Sequence, residues 1–156
     1  MTCRRVTGRR GQAKVSDEMA IVRVSKSTRI PVSADEVWAF VSDFGGYASW
    51  QPHIESVELQ PNGTRKVNFT RGDSVFDRIV RQDNEAKTLT YELAPGQETP
   101  MNSLAATFIV REDGAGSAVE YTIEVDVPDE IQDLARGGIG ADIDGALGGL
   151  DSKYRG

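Results

Sequence analysis

HIESVELQP (residues 53–61), TRKVNFT (64–70), SVFDRIVRQ (74–82), KTLTYELA (87–94), NSLAATFIVRE (102–112) and SAVEYTIEVDVP (117–128) are successive runs in which apolar and polar side chains alternate. A period of two marks a strand with one face buried and the other wet. The runs are joined at Pro61-Asn62-Gly63, Arg71-Gly72-Asp73, Asn84-Glu85-Ala86, Pro95-Gly96 and Asp113-Gly114-Ala115-Gly116. Gly and Asn reach positive φ with little steric penalty, so these are turns with a mechanism. Connections this short leave no room for a crossover helix. The strands therefore form an antiparallel meander.

Outward from the meander, AIVRVSKSTRIP (20–31) is a further β-branched strand, with Val22, Val24, Thr28 and Ile30 on one face and Pro31 ending it. Ser33 and Glu36 then form a capping box, and Val37, Phe40, Val41 and Phe44 follow at helical spacing. SADEVWAFVSDF is a short amphipathic helix, broken by Gly45-Gly46, and YASWQP (47–52) reads as an irregular turn or second short helix. At the other end, an Asp129-x-x-Gln132 cap opens a segment whose Ile131, Leu134, Ile139, Ile143, Leu147 and Leu150 trace an apolar stripe. Glycines at 137, 138, 140, 145, 148 and 149 interrupt it. Together they weaken helix propensity by on the order of 5 kcal/mol relative to Ala. The segment is expected to be a long final helix packed across the sheet, kinked or frayed from Gly137 onward.

Composition narrows the function. With 156 residues the chain is long enough for one core that needs no metal or disulfide staple. The lone Cys3 cannot make an internal disulfide, and one cysteine with one histidine, His53, cannot build a Cys/His zinc site. No metal and no cofactor are expected. No apolar run approaches the ~18–20 residues that span a bilayer, so stable membrane insertion is not expected. Residues 1–18 carry Arg4, Arg5, Arg9, Arg10 and Lys14 against Asp17 and Glu18, a net +3 that leaves −9 on the rest of a chain of total charge −6. Such an acidic body repels phosphate backbones and argues against nucleic acid as a partner. The basic segment 1–18 reads as a disordered arm. It is a loose tail, a transit-like segment, or a stretch ahead of a true start at Met19. Residues 19–156 read as one domain, cytoplasmic, a monomer or weak homodimer.

The order strand, short helices, meander, long helix gives an α+β fold in which a twisted sheet curls on itself and the final helix fills its concave side. Parity assigns Val67, Phe69, Val75, Ile79, Leu89, Tyr91 and Leu93 to the inner face. Leu104, Ala106, Phe108 and Val110 join them, as do Val119, Tyr121, Ile123 and Val125. Most are apolar, as a face covered by a helix must be.

The stretches VWAFVSDFGGYASWQPHI (37–54), GTRKVNF (63–69), DRIVRQDN (77–84), LTYEL (89–93) and MNSLAATF (101–108) resemble the bacterial polyketide cyclase/dehydrase-like branch of the START-related superfamily. The resemblance spans about residues 21–150, is specific for fold and carries no catalytic signature. It implies a helix-grip fold, a seven-stranded antiparallel sheet wrapped round a long C-terminal helix, with a deep cavity for a small hydrophobic ligand between them.

Within that fold the inward polar residues become candidates. Arg65 and Asp77 share the parity of the apolar inner set, and Asp77 stands where the resembled pattern commonly has Glu. Neither charge can be buried alone. Either they orient a ligand oxygen, with Asp77 as general acid or base, or they are a structural bridge. Glu55 is a second inward carboxylate candidate. Tyr91 and Tyr121 could hydrogen-bond a ligand carbonyl or simply be core, and Asn102 begins an inward-facing strand. Val67, Phe69, Ile79 and Leu104 are the apolar lining. Trp50, in a loop by the presumed entrance, either gates the cavity or anchors the loop, whereas Trp38 packs the first helix on the sheet. His53 has no partner Ser or Cys for nucleophilic chemistry and is expected in solvent. Gly137–Gly140 does not match a phosphate-binding loop. The expected function is binding of a small hydrophobic molecule. It is accompanied either by cofactor-independent cyclisation or dehydration, as the resemblance implies, or by none, as in a lipid, quinone or isoprenoid carrier.

Overall fold

A computed structural model describes residues 18–97, 99 and 101–155. The basic arm up to residue 17 lies outside the described residues, and Glu18 already belongs to the body, its carbonyl accepting the Asp129 N–H at 3.0 Å. Strand β1 (Met19–Ile30) leads into helix α1 (Ala34–Val41), capped by Ser33, whose hydroxyl accepts the Glu36 N–H. A short 3-10 helix, Phe44–Ser49, follows. The meander then runs β2 (Ile54–Leu59), β3 (Arg65–Phe69), β4 (Ser74–Asp83), β5 (Thr88–Leu93), β6 (Ser103–Asp113) and β7 (Gly116–Pro128). Gly63 and Gly72, at φ +87° and +108°, sit in the turns either side of β3, in a region closed to side chains with a Cβ.

The sheet is seven-stranded and antiparallel throughout, in the order β1-β7-β6-β5-β4-β3-β2. Every sequential neighbour pairs except β1, which crosses to β7 and matches it over its whole length, Met19 opposite Pro128 and Ile30 opposite Ser117. This is the helix-grip architecture. The inner face carries the core: Val22, Ile30, Val67, Leu89, Ala106, Phe108, Val119, Ile123 and Val125 are all buried.

Helix α2 (Gln132–Arg155) is continuous for 24 residues. The expected kink or fraying at Gly137 is absent, because packing rather than propensity holds the helix. Ile143, Ala146 and Leu150 are fully buried on the side that rests against β1 and β7. Two of its glycines are contact surfaces. A Cβ on Gly149 would lie 1.6 Å from the Trp50 carbonyl oxygen, and one on Gly145 would lie 2.8 Å from the Gln51 side-chain oxygen. The segment 50–53 is thus seated directly on the helix backbone. Leu134, counted in the apolar stripe, is instead 76% exposed. It lies in the first turn of α2, which runs Gln132–Arg155.

Candidate ligand-binding cavity

Because α2 rests on the β1–β7 side, a space of about 630 Å³ remains between its first half and the inner face of β3 to β7. That volume falls in the range of cavities that take small organic ligands. Its walls are mostly apolar. Of the residues singled out in the sequence, Val67, Phe69, Asp77, Tyr91, Leu104 and Tyr121 line it. Arg65 stands just behind the wall, 3% exposed, bound to Asp77.

Four candidates lie elsewhere. Glu55 is exposed, because a register shift between Ile54 and Ser56 breaks the parity of β2 there. Ile54 takes the inward place, buried and lining the cavity. Asn102 is exposed and ties β6 to β7, its side-chain amide donating to the Asp126 carboxylate at 3.0 Å. Ile79 shares the inner face but sits one inward position beyond Asp77 along β4, packed on the core outside the cavity lining. Trp50 does not gate an entrance. It is buried, its ring centroid 4.9 Å from Tyr47 and 5.6 Å from Phe108, because the glycine-lined face of α2 draws its backbone inward. Its indole N–H has no partner among the described residues.

The closed end of the cavity is a cluster of three phenols. Tyr47 comes from the 3-10 helix, Tyr91 from β5 and Tyr121 from β7, and all three are buried. The Tyr121 hydroxyl lies 2.5 Å from that of Tyr91 and 3.0 Å from that of Tyr47. Burial drives all three pKa values above the ordinary tyrosine value, Tyr91 and Tyr121 furthest, so the phenols are neutral hydrogen-bonding groups. Phe108 stacks under Tyr121 with centroids 3.9 Å apart and fixes its ring.

Arg65 backs this floor. Its Nε donates to Asp77 Oδ1 at 2.7 Å, its Nη2 to Asp77 Oδ2 at 3.2 Å and its Nη1 to the Phe44 carbonyl at 2.7 Å. The guanidinium lies 4.0 Å from the Phe44 ring centroid and 4.7 and 4.8 Å from those of Tyr91 and Tyr47. A fork of donors against a carboxylate, with aromatic faces around it, is the setting in which Arg tolerates burial. Burial raises the Asp77 pKa and Arg65 pulls it back, while Asp77 keeps Arg65 charged.

The open end carries charge. Arg71 lies over the Phe69 ring and pairs with Asp73 at 2.7 Å. Asp142 of α2 faces it, its carboxyl raised by burial and lowered by Arg71 and His53. His53 is half-exposed, with Nδ1 3.5 Å from Asp142 Oδ1, while Gln51 donates to the Asp142 carbonyl at 2.8 Å. Tyr47, Gln51 and Asp142 are lining residues that the sequence reading missed. A signal for Tyr47 exists: Phe44, Tyr47 and Trp50 are spaced by three, the repeat at which side chains eclipse on a 3-10 helix. Gln51 and Asp142 carry no such signal. Among the described residues no cluster of His, Cys, Asp and Glu could hold a metal, and no helix is long and apolar enough to cross a membrane.

In overall shape the chain is similar to the XoxI protein from Bacillus cereus, at TM-score 0.78 and 20% identity, covering 85% of this chain and 95% of that one. It is also similar to truncated norcoclaurine synthase from Thalictrum flavum (TM-score 0.70, 18% identity, 86% and 93% covered). A START superfamily protein from Mycobacterium smegmatis gives TM-score 0.70 at 15% identity, with 85% and 96% covered. At these identities the likeness concerns the fold. Among curated protein sequences, none matches. The family model described as polyketide cyclase/dehydrase and lipid transport matches residues 22–155, and with sheet, helix and cavity in place the chain belongs to that family.

Proposed function

We propose that this protein encloses a small, largely apolar molecule between its sheet and α2. The observation that carries the proposal is the cavity itself: about 630 Å³, walled mainly by aliphatic and aromatic side chains and closed by the three phenols. A core meant only for stability packs to near-crystalline density, and a hollow of this size forfeits many contacts unless something fills it. The reading takes the protein as cytoplasmic, a monomer or weak dimer that needs no cofactor and does not engage nucleic acid. Native mass spectrometry of the freshly purified protein tests it: a retained small molecule, lost on mild denaturation, is expected. Absence of any retained mass, together with no thermal shift across a panel of lipids, quinones and polyketide-like aromatics, would overturn it.

The family offers a second reading, cyclisation or dehydration of the bound molecule, and one observation favours it. The floor offers neutral O–H groups, and the charge of Arg65, 4.7 Å from the Tyr91 ring, partly offsets the rise in pKa that burial causes there, so a carbonyl bound at this point would be polarised. Asp77 has both oxygens committed to Arg65, so in this reading it positions the guanidinium, and the phenols act as proton donors. A folded Asp77→Asn variant that turned over a cyclisable poly-ketone as fast as wild type would remove Asp77 from the mechanism.

A further inference from the structure

We infer that the floor of the cavity selects a neutral ligand with one carbonyl oxygen on an otherwise apolar skeleton, inserted oxygen first, and rejects carboxylates and cations. The inference rests on the binding reading above and adds the chemical class of the ligand.

Counting protons carries it. Tyr47, Tyr91 and Tyr121 bring three O–H donors to one spot, and two contacts join them, both through Tyr121. However the two bonds are oriented, each uses one proton. One O–H remains, and all three residues line the cavity. Gln51 beside Tyr47 does not absorb it. Its carbonyl oxygen already takes the His53 N–H at 3.1 Å, and its amide donates to the Asp142 carbonyl at 2.8 Å. A buried donor without an acceptor is penalised, so an oxygen lone pair from the ligand is what this floor lacks. Ala106, Ile123 and Ile139 add apolar surface to the same cavity.

Charge selection follows from the same geometry. A carboxylate would leave water for a single spare donor, and the reluctance of the three phenols to ionise shows how poorly this end holds negative charge. A cation would meet Arg65 behind the rings, and the carboxylate beside it, Asp77, already has its charge balanced by a two-pronged bridge to that arginine. A neutral carbonyl suffers neither penalty.

The test uses three probes of one shape, 2-acetylphenanthrene, 2-ethylphenanthrene and phenanthrene-2-carboxylate, each measured by equilibrium dialysis against the full chain. The ketone is expected to bind about three- to tenfold tighter than the hydrocarbon, the yield of one net hydrogen bond, and the carboxylate weakest. In the variant Tyr47→Phe/Tyr91→Phe/Tyr121→Phe the ketone's advantage is expected to vanish while the hydrocarbon still binds. Replacing all partners of a buried network by apolar isosteres is close to neutral for folding. Independently of any variant, the infrared C=O stretch of the bound ketone in wild type is expected at a hydrogen-bonded frequency. Equal affinity for ketone and hydrocarbon, a stretch at its hydrocarbon-solvent value, or tightest binding of the carboxylate would overturn the carbonyl selection and leave the binding reading standing. Failure of all three probes to bind would overturn both.

Discussion

Arg65 and Asp77 are direct register partners on adjacent strands β3 and β4, and their side chains meet in a two-pronged bridge at 2.7 and 3.2 Å with almost no exposure to water. The pair backs the floor formed by the phenols, with the Arg65 guanidinium 4.7 and 4.8 Å from the Tyr91 and Tyr47 rings, so its integrity and that of the cavity floor are linked.

Removing one partner strands the other. Asp77→Ala leaves a buried guanidinium with only the Phe44 carbonyl, and a loss of about 3–5 kcal/mol in urea unfolding is expected. The double variant Arg65→Met/Asp77→Leu is expected to lose less than either single variant, since it buries no uncompensated charge. A double variant as unstable as the sum of the singles would show that the bridge is not the reason.

The phenols make stability fall with alkali. In the folded state their pKa values stand above 10.0, where unfolded tyrosines titrate, so above that pH the unfolded chain loses protons that the native state keeps. Their contribution is fully present below pH 10 and is lost as pH climbs, at about 1.4 kcal/mol per pH unit for each of the three. Tyrosinate absorbance should report one phenol, Tyr154, ionising in the native protein, with the other three appearing only on unfolding. Four phenols titrating together before unfolding would contradict the buried network.

The glycines of α2 divide into two classes. Gly149→Ala drives a methyl into the Trp50 carbonyl and is expected to destabilise by about 1–3 kcal/mol although Ala is the better helix former. Gly137→Ala and Gly148→Ala meet open space and are each expected to stabilise by up to about 1 kcal/mol. Thermal melts of the three variants decide it. The same sign at all three positions would contradict the seating of segment 50–53.

Filling the hollow should abolish uptake without unfolding the protein. Leu104→Trp projects a larger ring into the cavity from β6 and is expected to reduce binding of the phenanthrene ketone at least tenfold, with the circular dichroism spectrum retained. Unchanged affinity would place the ligand elsewhere.

The meander was readable because each strand alternates and each turn has its own chemistry, and the same parity brought Tyr91, Tyr121, Arg65 and Asp77 to the inner face. Parity fails where a strand adds a residue. The irregularity at Ile54/Ser56 put Glu55 outside. The gating reading of Trp50 failed for another reason: its backbone is seated on Gly149, on a helix some hundred residues later, a long-range fit that no local window contains. Helix propensity misjudged α2 in the same way, since the contacts that straighten it are tertiary.

One feature of the topology governs how the molecule can come into being. Strand β1 has a single neighbour, β7, so it cannot begin to pair until Ser117 has been made and is not fully paired until Pro128 has been made. Until then β2 to β6 can zip up hairpin by hairpin, but the sheet ends on a bare margin and the oily concavity has no roof. Synthesis of the last two dozen residues delivers both the cover and the latch at Gly145 and Gly149. A nascent chain stalled short of them would present its guest-binding surface to every chaperone in reach.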